Sequence, residues 1–147
     1  RTVDSTLGQL IEPIKQRLHQ PGGTEYGKVM MLSILRLAFW AATAFATIMA
    51  LLPLPPAIPG TPSDKVQHVI TFLTLALLAA IGYPRISLLR IGLALCAFGA
   101  AIEIAQLIPS LNRFGDVYDW LADTVGVGIA LAAVHFWRFS GWTNRQR

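Results

Sequence analysis

The sequence has little cysteine and little charge: one cysteine among 147 residues, of which only 14% are charged. The single cysteine, Cys96, excludes an intrachain disulfide, and its apolar neighbours predict a packing role. Signatures of soluble enzymes are missing too, because the chain has no P-loop, GxGxxG, HExxH or GxSxG motif. The net charge is +4, but the basic residues form no stripe, so we expect no nucleic-acid binding.

What the sequence does contain is long apolar runs. Hydrophobic residues make up 54% of the chain, and the mean hydropathy is +0.53. The runs approach the roughly 20 residues that a helix needs to cross the hydrocarbon core of a lipid bilayer. Only helices pair every backbone amide within such a run, and short loops make successive helices antiparallel neighbours. The sequence therefore predicts an all-α polytopic membrane bundle of four transmembrane helices, at residues 31–52, 66–82, 88–108 and 117–137.

These runs divide the chain into three parts. Residues 1–28 form a polar N-terminal segment, in which apolar residues at helical spacing precede the linker "HQPGGTEYGK". This short amphipathic segment is predicted either to lie on a membrane surface or a partner, or to be a loosely held tail. Residues 29–139 form the transmembrane domain, and residues 140–147 form a basic cytoplasmic tail. The apolar positions of the first part are Leu7, Leu10, Ile11, Ile14 and Leu18.

Lysine and arginine predict the orientation of the bundle. Two of them, Lys65 and Arg113, lie on one side of the predicted membrane, and nine lie on the other. Because cytoplasmic loops carry the excess of positive charge, both termini are predicted to be cytoplasmic. The nine residues are Lys15, Arg17, Lys28, Arg36, Arg85, Arg90, Arg138, Arg145 and Arg147.

Polar residues of three predicted helices fall at the same outer end of the bundle. Five carboxylates accompany two cations there, and a partly buried site must lower this net charge of −3 by protonation, cation binding or exposure. Asp116, Asp119 and Asp123 share one helix face, which should point into the bundle rather than toward lipid. The predicted outer-face cluster consists of Asp64, Lys65, His68, Glu103, Gln106, Arg113, Asp116, Asp119 and Asp123.

Small residues on the last two predicted helices indicate close helix packing. Glycine and alanine let neighbouring backbones approach, and they recur here on the same faces as the polar residues. The predicted packing positions are Gly92, Gly99, Ala122, Gly126 and Ala130.

Two segments, "DKVQHVITFLTLALL" and "EIAQLIPSLNRFGDVYDWLADTVGVGIA", resemble the VanZ-like family of small bacterial integral membrane proteins over residues 64–130. The family's usual Asn of an Asn-x-x-Gly motif is Asp123 here, which adds a negative charge. The resemblance implies a helical bundle in the bacterial inner (cytoplasmic) membrane and a role in the cell envelope, since the family's namesake is linked to teicoplanin resistance. The family pattern falls on Asp64, Lys65, His68, Glu103, Gln106, Arg113, Asp119 and Gly126.

The buried members of the cluster have alternative roles. Glu103 and Gln106 suit interhelical hydrogen bonds, or else ligand or proton chemistry. His68 suits a hydrogen-bonded structural role, proton transfer or metal ligation, although zinc sites usually have more nitrogen or sulfur ligands. We predict no metal and no cofactor.

The charged residues near the predicted membrane interfaces are expected to form pairs or to reach water. Lys65 is expected to pair with Asp64 at the start of its helix. Arg113 is expected to form a salt-bridge clamp with Asp116 and Asp119 that closes the outer loop. Arg36 is expected to extend to the cytoplasmic face.

Three functions fit these features. The first is a non-catalytic accessory or structural subunit of a larger membrane complex, acting by helix packing against other integral membrane proteins. The second is a stand-alone envelope protein of the glycopeptide-resistance type, which binds an envelope ligand at the outer polar pocket. The third is an intramembrane enzyme in which Glu103 or Asp119 acts as a general base and His68 assists.

Overall fold

The protein is a bundle of four long helices. A computed structural model describes residues 22–53 and 63–143, and within these ranges side chains from 25 to 140. Each helix contains a stretch long and apolar enough to cross a membrane, and no strand occurs among the described residues. The predicted all-α fold with four candidate transmembrane helices is confirmed. The helices are α1 (Gly22–Leu51), α2 (Asp64–Gly82), α3 (Leu88–Gln106) and α4 (Val117–Thr143), with a 3-10 turn at Pro109–Leu111 between α3 and α4.

By its internal contacts the chain divides into two compact units, Arg1–Leu32 and Ser33–Arg147. In the first unit the structure describes residues 22–32, which form the start of α1 and are exposed from Glu25 to Met31. The second unit contains the remainder of α1 and the other three helices, and it carries every contact described below.

Some helix boundaries differ from the prediction. Helix α1 begins at Gly22, so the predicted linker is wrong from that residue onward; Glu25 in the first turn favours the start of a helix there. Helix α4 extends to Thr143, into the predicted tail. The predicted amphipathic segment at 1–21, the proline-rich loop at 54–62 and residues 144–147 lie outside the described residues.

The core lies between α2, α3 and α4, and the closest packing is between α2 and α4. Gly126 of α4 permits this approach, because a Cβ at this position would collide with the backbone oxygen of Val69 in α2. The rings of Phe72 and Phe98 lie 5.9 Å apart at the α2–α3 contact. The buried apolar residues are Phe72, Leu75, Ala76, Ala79, Ala80, Ile91, Leu95, Ile102, Val127, Ala130 and Val134.

Arginines from other helices cap the C-terminus of α2, which has no basic residue in its own last turn. Arg36 Nε of α1 donates to the carbonyl of Gly82 at 2.9 Å, and an Arg138 guanidinium nitrogen of α4 donates to that of Ala80 at 2.8 Å. Arg36 also lies over the Tyr83 ring, 5.1 Å from its centroid. These carbonyls lack partners within α2, and a cation is favoured at the negative end of the helix dipole. Arg36 was predicted to extend to the cytoplasmic face; in the structure its side chain is held by Gly82 and Tyr83 at the C-terminal end of α2.

Candidate functional site

The bundle has a polar end, where the C-terminal ends of α1 and α3 meet the N-terminal ends of α2 and α4. Hydrogen bonds and ion pairs join residues of α2, α3 and the start of α4 there, and three further hydrogen bonds reach the last turn of α1. A cavity of about 250 Å³ opens among these side chains. It is lined by Asp64, His68, Gln106, Asn112, Arg113, Phe114 and Asp119.

Lys65 joins the first turn of α2 to the first turn of α4. Its Nζ lies 2.9 Å from Asp116 Oδ2 and 2.9 Å from Asp119 Oδ1. The Asp119 side chain is nearly buried, whereas Lys65 is half-exposed, so the lysine covers the carboxylate from the bundle surface. Two predicted pairings are wrong. Lys65 was predicted to pair with Asp64 but pairs with these two aspartates. Arg113 was predicted to pair with the same two aspartates but donates to backbone carbonyls instead.

Arg113 instead caps the C-terminus of α1. Its guanidinium donates to the backbone carbonyls of Ala50 and Met49, both at 3.1 Å. Gln106 Nε2 also donates to the carbonyl of Ala50, at 2.9 Å. The last carbonyls of a helix have no partner within it, and α1 has no basic residue in its own last turn. Residues of α3 and of the following loop therefore hold α1 on the bundle.

Asp116 immediately precedes α4 and lies outside its apolar stretch. Its Oδ1 accepts a hydrogen bond from the backbone N–H of Tyr118 at 2.9 Å, and its own N–H donates to Glu103 Oε2 at 2.7 Å. The Tyr118 N–H and then the Lys65 ammonium hold the pKa of the Asp116 carboxyl below its ordinary value, because both favour the ionised form. Asp116 thus links α2, α3 and α4.

The lowered pKa of Asp116 predicts an acid-dependent loss of stability. A carboxyl group whose pKa is lower in the folded state stabilises that state above its unfolded-state pKa, and this contribution is lost as the pH falls through the folded-state pKa. Asp116→Asn keeps a capping side chain but removes the charge. We expect a lower Tm than wild type at pH 7 and convergence of the two Tm values in acid, measured by thermal unfolding in detergent. A difference that stayed constant down to the acid limit would contradict this account.

His68, Glu103 and Asp123 form the base of the polar end, where Glu103 and Asp123 are buried and His68 is half-buried. His68 Nδ1 lies 2.8 Å from Asp123 Oδ1, and Asp123 is fully buried. Potential ligand atoms of the three side chains lie within 4.8 Å of one another. Glu103 Oε1 and Asp123 Oδ2 are buried and have no hydrogen-bond partner within the described part of the chain. This arrangement could share a proton or hold a cation.

Asp64 is exposed at the rim of the cavity. With His68 and Asp119 it forms a second group whose potential ligand atoms lie within 4.8 Å of one another. The structure therefore brings together all nine residues of the predicted cluster. The predicted inward direction of the α4 aspartates agrees with the burial of Asp119 and Asp123, which are 7% and 0% exposed.

The predicted packing residues lie in helix contacts of differing closeness. Gly126 and Ala130 are buried, and Gly126 meets the backbone of α2. A Cβ at Gly99 would lie 2.7 Å from Asp123 Oδ2, so this glycine leaves room for the buried carboxylate. Gly92 meets Leu131 of α4, and Ala122 is only half-buried.

Sequence reasoning missed several parts of the site. Asn112 and Phe114 line the cavity, and Asn112 adopts a left-handed conformation with φ 52° that turns the loop after α3. The polar "PSLNRFG" loop predicts a turn here, but nothing in it indicates that Asn112 and Phe114 line a cavity.

Cys96 was predicted to pack. It is half-buried beside the core, and its backbone oxygen accepts a hydrogen bond from Trp120 Nε1 at 3.0 Å.

Comparison with known proteins gives one match. The family model described as VanZ/LLP1 matches residues 9–138, which include the whole polar end. No curated protein and no solved structure matches the chain.

Proposed function

The chain belongs to the VanZ/LLP1 family, and from this premise we propose that it is an integral membrane protein whose polar-end cavity binds an envelope ligand. The observation that carries the proposal is the cavity of about 250 Å³ beside a buried carboxylate cluster. Drug-sized ligands occupy cavities of about 300–1,000 Å³, so this one suits a terminal group of a larger molecule. A sugar or amine-bearing group of a glycopeptide or of a lipid-linked wall component has that size and polarity.

The charges of the polar end support a ligand that donates hydrogen bonds. Lys65 and Arg113, the cations nearest the cavity, are already engaged with the α4 aspartates and the α1 carbonyls. Acceptor groups of Asp64 and Asp119 therefore remain to meet a ligand in the cavity. Amines and hydroxyls complement such acceptors, whereas a phosphate would be repelled by them.

We propose that this cavity faces the outer side of the bacterial inner membrane. This part of the proposal rests on the lysine and arginine asymmetry, which favours cytoplasmic termini. The polar end holds the start of α2 and the loop between α3 and α4, and both lie opposite the predicted cytoplasmic side.

Substitution of the cavity carboxylates tests the proposal. Asp64→Asn and Asp119→Asn each remove the charge of one acceptor in the cavity. A hydrogen bond to a charged group is worth about 1.5–3 kcal/mol, so each substitution should weaken teicoplanin binding by about tenfold or more. Binding would be measured by microscale thermophoresis on the purified chain in nanodiscs, with glycopeptide susceptibility of expressing cells as the second readout.

Asp116→Asn is the matched control, because Asp116 shares the Lys65 contact with Asp119 but does not line the cavity. We expect this variant to bind like wild type. Equal binding by all four proteins, or none by wild type to teicoplanin and to amine-bearing lipid, would count against a ligand site in this cavity.

An accessory subunit of a larger membrane complex is the second proposal, and a separate observation favours it. No residue in the apolar stretch of α1 is buried, although arginine contacts tie this helix to the bundle near its middle, through Arg36, and at its C-terminal end, through Arg113. Phe39, Ala42 and Ala50 pack against the core, but large apolar side chains elsewhere on α1 are exposed, which suits contact with another integral membrane protein as well as with lipid. Native purification in mild detergent distinguishes the two: stoichiometric co-elution with a large complex supports the subunit, and a lone monomer contradicts it.

A further inference from the structure

Two buried carboxylates at the base of the polar end have unpaired oxygens. Glu103 is 8% exposed and Asp123 is 0% exposed, and Glu103 Oε1 and Asp123 Oδ2 have no hydrogen-bond partner among the described residues. An ionised carboxylate is costly to bury unless each of its oxygens meets a positive charge or a donor. We propose that Glu103 and Asp123, together with His68, form a binding site for one divalent cation of the Zn²⁺ or Mn²⁺ class.

The neighbouring cations do not neutralise this pair. Lys65 donates to Asp116 and Asp119, and Arg113 donates to backbone carbonyls of α1. Only His68, among the described residues, is paired with Asp123, and it meets Oδ1 rather than the unpaired Oδ2. A single bound cation could bridge the carboxylate oxygens of both acidic residues.

The geometry requires only a small closure of the three side chains. Ligands at about 2.0–2.2 Å from a tetrahedral Zn²⁺ lie about 3.4 Å from one another. The potential ligand atoms of His68, Glu103 and Asp123 lie within 4.8 Å of one another, so they would move inward around a bound ion. The 2.8 Å contact between His68 Nδ1 and Asp123 Oδ1 is a hydrogen bond, which must open if Nδ1 is the nitrogen that binds the ion. Gly99 leaves room on the α3 side, since a Cβ there would lie against Asp123 Oδ2.

The donor atoms define the class of cation. One imidazole nitrogen and two carboxylates suit Zn²⁺ or Mn²⁺, whereas Ca²⁺ and Mg²⁺ prefer oxygen ligands in larger numbers. Three protein ligands leave a fourth position, which water or a bound ligand can occupy because His68 also lines the cavity. The second group, which contains Asp64 and Asp119, is a weaker candidate: Asp64 is exposed and Asp119 is already paired with Lys65.

Zn²⁺ titration of the purified full chain tests the site. The chain in detergent is stripped with a chelator, titrated with Zn²⁺ by calorimetry, and analysed for metal content after gel filtration. We expect one Zn²⁺ per chain and a higher Tm when the metal is bound. Removing a residue that only hydrogen-bonds a metal ligand weakens metal binding by about 10–100-fold. Glu103→Gln and Asp123→Asn remove the proposed ligands themselves, so each should weaken binding by at least about 100-fold.

Glu25→Gln is the control, because it removes an exposed carboxylate from the first turn of α1 that does not belong to the polar end or to the proposed ligand set; its affinity should equal that of wild type. Gel filtration and circular dichroism show whether each variant is folded, and His68→Gln replaces any variant that is not. Absence of stoichiometric Zn²⁺ and Mn²⁺ binding by wild type overturns the proposal, as does binding that survives in Glu103→Gln and Asp123→Asn. The inference stands apart from the proposed function, because the metal titration uses no envelope ligand.

Discussion

Gly126→Ala is expected to destabilise the bundle by about 1–3 kcal/mol, the usual cost of forcing an extra group into a packed core. The added Cβ would collide with the backbone oxygen of Val69 and lie 3.1 Å from the backbone nitrogen of Leu73. Backbone atoms of α2 cannot rotate away as the end of a side chain can. Because α2 and α4 form the closest helix pair, the strain should separate them and lower the Tm in detergent.

Gly128→Ala is the matched control for this substitution. Gly128 lies two residues further along α4, and a Cβ there would meet nothing within 4 Å. Alanine is the better helix former by about 0.8–1 kcal/mol, so this variant should match or slightly exceed wild type in stability. Equal Tm values for the two variants would contradict a close α2–α4 approach at Gly126.

Arg113→Ala is expected to release the C-terminal end of α1 from the bundle. The substitution removes hydrogen bonds to the carbonyls of Met49 and Ala50, and hydrogen bonds to charged groups are worth about 1.5–3 kcal/mol each. Gln106 retains one contact to Ala50, so we expect a loss of about 2–3 kcal/mol rather than complete dissociation. Hydrogen exchange measured by mass spectrometry should show reduced protection in the last turns of α1.

Two further variants define this effect. Arg85→Ala removes an exposed arginine from the loop between α2 and α3, and it should leave both the Tm and the protection of α1 unchanged. Arg113→Lys should rescue only part of the stability, since a lysine lacks the planar fork that reaches two carbonyls at once. Full protection of α1 in Arg113→Ala would show that the hydrogen bonds of Arg113 do not hold this end of the helix.

The helix arrangement followed from local features of the sequence. Each apolar run is long enough to cross a bilayer, and within a bilayer a helix pairs every backbone amide inside the run. Four helices could therefore be predicted without knowledge of their contacts. The inward direction of Asp119 and Asp123 could be predicted too, because lipid penalises charge on any other face. The start of α1 was misplaced, since two glycines and a proline resembled a linker and hid the helix that begins at Gly22.

The partners of the charged side chains could not be predicted in the same way. The sequence predicts a salt bridge from Arg113 to Asp116 and Asp119, its neighbours along the chain. In the folded chain the close packing of α2 on α4 brings Lys65 to both aspartates, 51 and 54 residues away. Arg113 then reaches the end of α1, where carbonyls without partners attract its donors.

Composition and the helical period are enough to predict the four helices, the polar end of the bundle and the face on which its carboxylates lie. The folded structure was needed to see which cation pairs with which carboxylate, and which buried oxygens of Glu103 and Asp123 have no partner among the described residues. These features depend on how closely helices distant in sequence approach and on how each is rotated. Differences of a few ångströms decide them, and a helical pattern does not specify distances between helices.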